Sequence, residues 1–375
     1  MSPPVYLDYN ATTPVHPDVL SAMLPCFSKN FGNASSATHA HGWRAKVLVE
    51  KSREEMAAFI GSEPGEIIFT SGSTEAINLA LKGVFQKYSA KGKHIIAAET
   101  EHKAVLDTLT FLEKYGEAEI TLLKPDTNGI ISVPTLEKAL RPDTILVCIM
   151  LANNETGVIQ DLKSLSEATH KAGSIFFSDT TQAAGKIDFK VNELGIDLCC
   201  VSAHKMYGPK GAGALFVRRK NPRVQLFPLI HGGGHEKELR SGTLNVPGIV
   251  GMGAATKINL PEKFLLIEEI RNRIEEKLLQ SKKIRINGKS GSRLPNTSSI
   301  TIQGIKADSL IKSLRNFSFS TGSACTSAIP EPSHVLLSMG LSPEECFSSI
   351  RISLGIHTTE KEAEDFAEEL LKIVV

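Results

Sequence analysis

The chain has 375 residues, and its 42 lysines and arginines against 41 aspartates and glutamates leave a formal net charge of +1. That balance argues against a nucleic acid or a membrane surface as the main partner, and no apolar stretch approaches the ~20 residues a bilayer-spanning helix requires. The opening MSPPVYLDYNATTP lacks the basic and apolar regions of a signal peptide, and six cysteines without a CxxC pair form neither a disulfide framework nor a structural zinc site.

A soluble, cytoplasmic protein with one large and one smaller domain is expected. In chain order, the apolar runs EIIFT (66–70), HIIAAE (94–99), ILVCIML (145–151), SIFFS (174–178), DLCCVS (197–202) and GALFV (213–217) predict strands. Helical patterns such as 74–89 and 161–172 lie between them, and KYSAKGKH (87–94) reads as a solvated loop. Buried strands alternating with helices predict an α/β fold, a mostly parallel sheet flanked by helices. Beyond about residue 255 the pattern changes to a charged helix over 261–281, the short segments SSITIQ (298–303) and SIRISL (349–354), and a final helix over 359–374. The boundaries drawn from this are a large domain over 15–255 and a small α+β domain formed by 1–14 and 256–375.

In such sheets ligands bind beyond the carboxyl ends of the strands. Residues 70–74, His102, Asn154, Asp179, Gln182 and Lys205 each follow an apolar run. Lys205, in SAHKMYGPKG with Ser202 and His204 beside it, suits a Schiff base to an aldehyde cofactor. FTSGSTEA (69–76) reads as strand, tight turn and helix start, where Ser71, Ser73 and Thr74 can cradle a phosphate, although an ordinary N-cap explains the same residues. Asp179 at a strand end can pair with a pyridine nitrogen or cap a turn, and Gln182 can reach the same cofactor's phenolic oxygen. His102 can stack on a ring and shuttle protons. Asn153, Asn154 and Glu155 open a turn before Gly157. HGGGHEKELRSGT (231–243) places His231 and His235 near three glycines without an HExxH pattern, so no metal is expected there, and Thr243 can serve a phosphate. Arg351 in SSIRISLG can grip a carboxylate with two parallel bonds. Cys148, Cys199 and Cys200 lie in apolar runs as core residues. Cys325, in STGSACTSA, has small and polar neighbours on both sides and suits a nucleophile.

The segments YLDYNATTP, FGNASS, FTSGSTEAIN, TEHKAV, NNETGVIQD, SDTTQAAGK, SAHKMYGPKG, HGGGHEKELRSGT, GSACTSAIPEPSHVL and SSIRISLG together resemble the cysteine desulfurases of the NifS/IscS type, fold-type-I pyridoxal phosphate (PLP) enzymes of the class-V aminotransferase family. The resemblance runs over nearly the whole length, with SAHKMYGPKG and GSACTSA as its most specific pair. It implies that Lys205 holds PLP covalently and transfers protons, with His102 stacked on the ring. It pairs Asp179 with the pyridine nitrogen and Gln182 with the phenolic oxygen. The phosphate falls to Thr74, Ser202 and His204, joined by Thr243 from the partner subunit of a homodimer, and Ser73 of the FTSGSTEA turn is expected at the cofactor as well. Asn33, Asn154 and Arg351 are implied to bind L-cysteine, with Asn154 also near the cofactor. Cys325 is implied to attack the substrate sulfur, giving alanine and a persulfide that passes to a sulfur-acceptor protein.

The implied acceptor is open among iron–sulfur cluster assembly, tRNA thiolation and DNA phosphorothioation. Housekeeping IscS-type enzymes carry a longer C-terminal tail that contacts the iron–sulfur scaffold, and this sequence stops at Val375 without it. Alternative readings are a selenocysteine lyase, an aminotransferase, or a sulfur-carrying interaction protein that needs a partner. The GSACTSA segment speaks against aminotransfer.

Overall fold

The computed structural model describes residues 4–258, 260–321 and 331–374. The chain opens with β1 (Val5–Tyr6), α1 (Pro17–Met23), α2 (Pro25–Ser28) and α3 (Ala40–Ile60). Next come β2 (Ile67–Thr70), α4 (Ser73–Tyr88), β3 (His94–Ala98), α5 (Lys103–Gly116), β4 (Glu119–Leu123) and α6 (Val133–Ala139). The sheet is completed by β5 (Thr144–Cys148), α7 (Leu162–Lys171), β6 (Ile175–Asp179), β7 (Leu198–Ser202) and β8 (Gly213–Val217). The remainder comprises α8 (Val246–Ala255), α9 (Leu260–Leu278), β9 (Ile284–Ile286), β10 (Thr297–Ile302), α10 (Ala307–Ser313), β11 (Phe317–Ser318) and β12 (Ser320–Thr321). It ends with α11 (His334–Ser338), α12 (Pro343–Phe347), β13 (Ser349–Ser353) and α13 (Glu360–Val374).

Strands β2 to β8 form one sheet in the order β2-β8-β7-β6-β5-β3-β4. Neighbours from β7 to β4 pair in parallel, whereas β8 runs antiparallel to both β7 and β2. Only β8 is therefore reversed, and the carboxyl ends of the other six strands share one edge. The period of two along each strand divides the core between the sheet's faces. Ile67 and Phe69, Ile96 and Ala98, Val147, Phe176, and Cys199 and Val201 join one cluster with residues of α3, α7 and α8. Ile68, Ile95 and Ala97, Leu146 and Cys148, Phe177, and Leu198 and Cys200 join the other with α4 and α5. A sheet covered on both faces explains why these strands read as continuous apolar runs.

Two stretches depart from the sequence expectation. β4 was not anticipated: unlike β2 at the other edge of the sheet, which is buried throughout, it has Glu119 and Leu122 exposed and Ile120 and Thr121 half-buried, which dilutes the apolar signal. The segment 87–94 is not a solvated loop throughout. Lys87 and Tyr88 close α4, and His94 opens β3, fully buried, with its ring nitrogens 2.7 Å from Thr144 Oγ1 and 2.8 Å from Thr121 Oγ1. Hydroxyls on the flanking strands satisfy both nitrogens, which makes a buried histidine tolerable.

A second, antiparallel sheet has the order β12-β13-β10-β9, and β1 pairs in parallel with β11. A bridge between Asp8 and Ser353 continues the N-terminal arm along β13. The arm then crosses to the large sheet, where the Thr13 amide donates to the His204 carbonyl at 3.0 Å. This path carries residues 8–13 over the carboxyl edge of the large sheet.

Candidate active site

A cavity of about 760 Å³ opens at that edge. One end is the turn from β2 into α4. Thr70 and Ser202 both pair with Gly213, the first residue of β8. A Cβ at Gly213 would sit 2.5 Å from the Gly72 Cα, so only glycine lets the turn lie this close. The first helical bond of α4 runs from the Ala76 amide to the Gly72 carbonyl, which leaves the amides of Ser73, Thr74 and Glu75 ahead of it. Those amides, the positive end of a 16-residue helix and the hydroxyls of Thr74 and Ser202 make an anion cradle. Ser73 also lines the cavity, and its hydroxyl lies 2.5 Å from Thr181 Oγ1. Burial works against ionisation of Glu75, but bonds from Arg240 and Ser71 overcome it and hold its carboxyl below the usual range.

His204 faces the same end, with Nδ1 3.1 Å from Thr12 Oγ1. Burial, helped by the cations of Lys205, Lys210 and Lys186, lowers its pKa to about 4, so it stays a neutral imidazole. Lys205 ends the 3₁₀ turn that follows β7 and donates to the carbonyls of Asn10 at 2.6 Å and Ala11 at 2.7 Å. Burial and then the Arg351 cation lower its pKa to about 8, against the opposing pull of Asp179 and Asp8. A free amine is therefore accessible near neutral pH, as a nucleophilic or proton-transferring lysine requires.

Asp179, the buried last residue of β6, accepts the Thr181 amide at 2.9 Å and the Cys200 thiol at 3.2 Å. Burial pushes the Cys200 thiol well up, so it remains a donor. Gln182 directs Nε2 to the Asn10 carbonyl at 3.0 Å and accepts Lys186 Nζ on Oε1 at 2.7 Å. His102 caps α5 through an Nδ1 contact of 3.1 Å from the Ala104 amide and stands at the cavity wall. Asn154 lines the cavity, and its carbonyl accepts Arg351 Nη1 at 3.0 Å and Asn10 Nδ2 at 3.2 Å.

Arg351 reaches the cavity from β13 already partnered. Its Nη2 donates to Asp8 Oδ1 at 2.7 Å, while its buried Nε has no partner among the described residues. The other Asp8 oxygen accepts the Ser320 hydroxyl at 2.8 Å. Asp8 and Asn10 were absent from the candidate residues, although both stand in YLDYNATTP. The strand before them, β1, is two residues long and lies outside the large sheet, so they arrive only through the packing of the N-terminal arm. Lys186, at the end of SDTTQAAGK, was missed although it follows β6, because only the tertiary packing buries it.

The structure brings together Ser73, Thr74, His102, Asn154, Asp179, Gln182, Ser202, His204, Lys205 and Arg351 around this cavity. Asn33 and Thr243 do not line it. Asn33 is exposed and turns its side-chain oxygen to the Ser35 amide at 2.9 Å, and Thr243 is exposed on the 231–243 loop. Cys325 lies outside the described residues. The strand leading to it, β12, pairs Ser320 with Arg351, and Ser320 lines the cavity. On the far side, the Ser333 hydroxyl donates to buried Glu155 and His334 Nε2 to the Glu101 carbonyl. Among the described residues no cluster of histidine, cysteine, aspartate and glutamate side chains is arranged to hold a metal ion.

The aminotransferase class-V family model matches residues 5–366. A cysteine desulfurase IscS of Anaeromyxobacter dehalogenans (strain 2CP-C) is 47% identical over 374 residues, covering 99% of this chain and 92% of that protein. Among solved structures, a NifS-like protein superposes with a TM-score of 0.91 at 37% identity, covering 99% of both chains. SspA in complex with cysteine gives a TM-score of 0.85 at 38% identity, with 95% of this chain and all of that one covered, 100%.

Proposed function

Given that the chain belongs to the class-V aminotransferase family, we propose that it converts L-cysteine to L-alanine and holds the released sulfur as a persulfide on Cys325. It is a PLP-dependent cysteine desulfurase. The observation that carries this reading is one cavity with an anion cradle at one end, a buried aspartate at a strand end, and a lysine of lowered pKa between them. This donor set fits PLP, which has one phosphate, one basic ring nitrogen, one phenolic oxygen and one aldehyde.

The α4 amides, Thr74, Ser202 and neutral His204 would hold the phosphate, with Ser73 bracing the turn through Thr181. Asp179 would accept the pyridine N–H, Gln182 would donate to the phenolic oxygen, and His102 would cover the ring. When bound, PLP supplies an electron sink for the charge that builds on the substrate. Lys205 supplies the amine that anchors the cofactor and moves protons to and from the substrate carbon. Arg351 binds the substrate carboxylate from the opposite wall, beside Asn154. The Cys325 thiolate takes the sulfur: the substrate carbon–sulfur bond breaks, a sulfur–sulfur bond forms on Cys325, and alanine leaves.

A homodimer accompanies this reading. Leu24, Phe27, Phe31, Trp43 and Val47 are each more than half exposed around α2 and the start of α3, an apolar area that suits a second copy. Thr243 and Asn33, both off the cavity of their own subunit, are assigned to the partner-facing side. The persulfide passes to an acceptor protein in the cytoplasm, in iron–sulfur assembly or thio-modification. Cys325→Ser tests the assignment: the variant keeps bound PLP and loses sulfide production from L-cysteine. Normal turnover by that variant would refute it.

A further inference from the structure

Lys186 follows β6 at the end of a tight turn and is 3% exposed. Its Nζ donates to two atoms of one residue, Gln182 Oε1 at 2.7 Å and the Gln182 carbonyl at 3.1 Å. No carboxylate faces it among the described residues. The charged groups that act on it are Lys205 and Arg351, both cations, and together with burial they push its pKa well down. A buried amine without an ion-pair partner opposes folding, and a methionine of similar length would fill the same space without that penalty. Its one structural return is the grip on Gln182, a residue that lines the cavity.

The chemistry of that grip fixes the carboxamide's direction. A backbone carbonyl only accepts and so takes an N–H of the carboxamide, while the Lys186 amine, which donates to the Gln182 carbonyl, donates also to the carboxamide oxygen. With Lys186 on one side and the Asn10 carbonyl on the other, Gln182 must present Oε1 to the lysine and Nε2 to the carbonyl. Nε2 carries two hydrogens, and the second remains for the cavity.

We propose that Lys186 is a positioning residue of the active site, clamping the Gln182 carboxamide so that its nitrogen serves as a donor to the cofactor's phenolic oxygen. This rests on the PLP reading above. Without the donor, the phenolic oxygen becomes more basic and the bound chromophore holds its proton more tightly.

The test is a pH titration of the visible absorbance of purified holoenzyme for the parent, Lys186→Met, Gln182→Ala and the double variant. Lys186→Met raises the titration midpoint by about half a unit to one unit. Gln182→Ala does so as well, and adding Lys186→Met to it produces no further shift. A midpoint in Lys186→Met equal to the parent's, or a shift that persists in the Gln182→Ala background, overturns the proposal. Thermal melting keeps folding separate: Lys186→Met melts no lower than the parent, because it removes a buried amine that has no ion-pair partner among the described residues. A parent that binds no PLP defeats the functional reading alone. The crystal structure of Lys186→Met then decides this inference. The carboxamide turned off the Asn10 carbonyl supports the clamp, and an undisturbed Gln182 overturns it.

Discussion

The two walls of the cavity are built by different means. On the sheet side, each functional residue sits just past the carboxyl end of a strand: Ser73 and Thr74 after β2, His102 after β3, Asp179 and Gln182 at and after β6, Lys205 after β7. On the opposite side, Arg351 projects from the middle of β13, and Asp8 and Asn10 come from an arm that is close to Arg351 only through long-range pairing. The sheet wall gathers groups suited to a cofactor and to proton transfer. The opposite wall gathers an arginine with its counter-charge, suited to a substrate carboxylate. Damage to the first should fall on the chemical step, and damage to the second on substrate binding.

The sharpest division is expected from Lys205→Ala, which lowers kcat for alanine formation by at least about 10³-fold. A Lys205→Ala enzyme that keeps near-parental kcat would erase the distinction. On the other wall, Arg351→Lys raises KM for L-cysteine by about 10²-fold with a smaller change in kcat, because a single ammonium cannot reproduce the two-pronged grip. Asp8→Asn removes the ion pair that sets the guanidinium and raises KM by about tenfold. Steady-state kinetics on both variants check the split, and a loss confined to kcat would break it. At the phosphate end, Gly213→Ala forces the β8 backbone away from Gly72 and weakens PLP binding by about tenfold or more. Cofactor titration of the apoenzyme reads this directly.

An effect on stability rather than on turnover is expected at Glu155, which accepts the Ser333 hydroxyl. Burial raises the Glu155 carboxyl from 4.5 to about 7, against the Ser333 hydroxyl and the cations of Arg351 and Lys103. The folded state thus holds this proton more tightly than the unfolded state does. The contribution to stability is full below the ordinary carboxylate range and is lost as pH rises through about 7. Glu155→Gln removes that slope. Between pH 5 and pH 8 the variant loses less unfolding free energy than the parent, by on the order of 1–3 kcal/mol. Denaturant melts at the two pH values measure the difference, and parallel slopes would contradict it.

The same contrast explains what could be read from the sequence. An apolar run followed by a polar residue locates a strand's carboxyl end, and so Lys205, Asp179, Gln182 and His102 were legible before any coordinates. β4 was not, because it is only partly buried and polar residues interrupt its apolar run. Asp8 and Asn10 were not, because what recruits them is a guanidinium, a carbonyl or a carboxamide from distant parts of the chain. Lys186 was not, because its burial beside the nearby Gln182 is set by tertiary packing. Arg351 was legible as a candidate residue, and it lines the cavity, but its partner Asp8 was not. Asn33 and Thr243, drawn from motif resemblance, do not line the cavity, because the packing of this chain gives them no contact with it.

The most direct measurement is a single turnover of L-cysteine by purified holoenzyme without reductant, following alanine release and sulfur on the Cys325 peptide by mass spectrometry. One alanine and one persulfide on Cys325 per subunit are the expected result. Alanine released with no sulfur on Cys325 would contradict the assignment of that thiol as the acceptor.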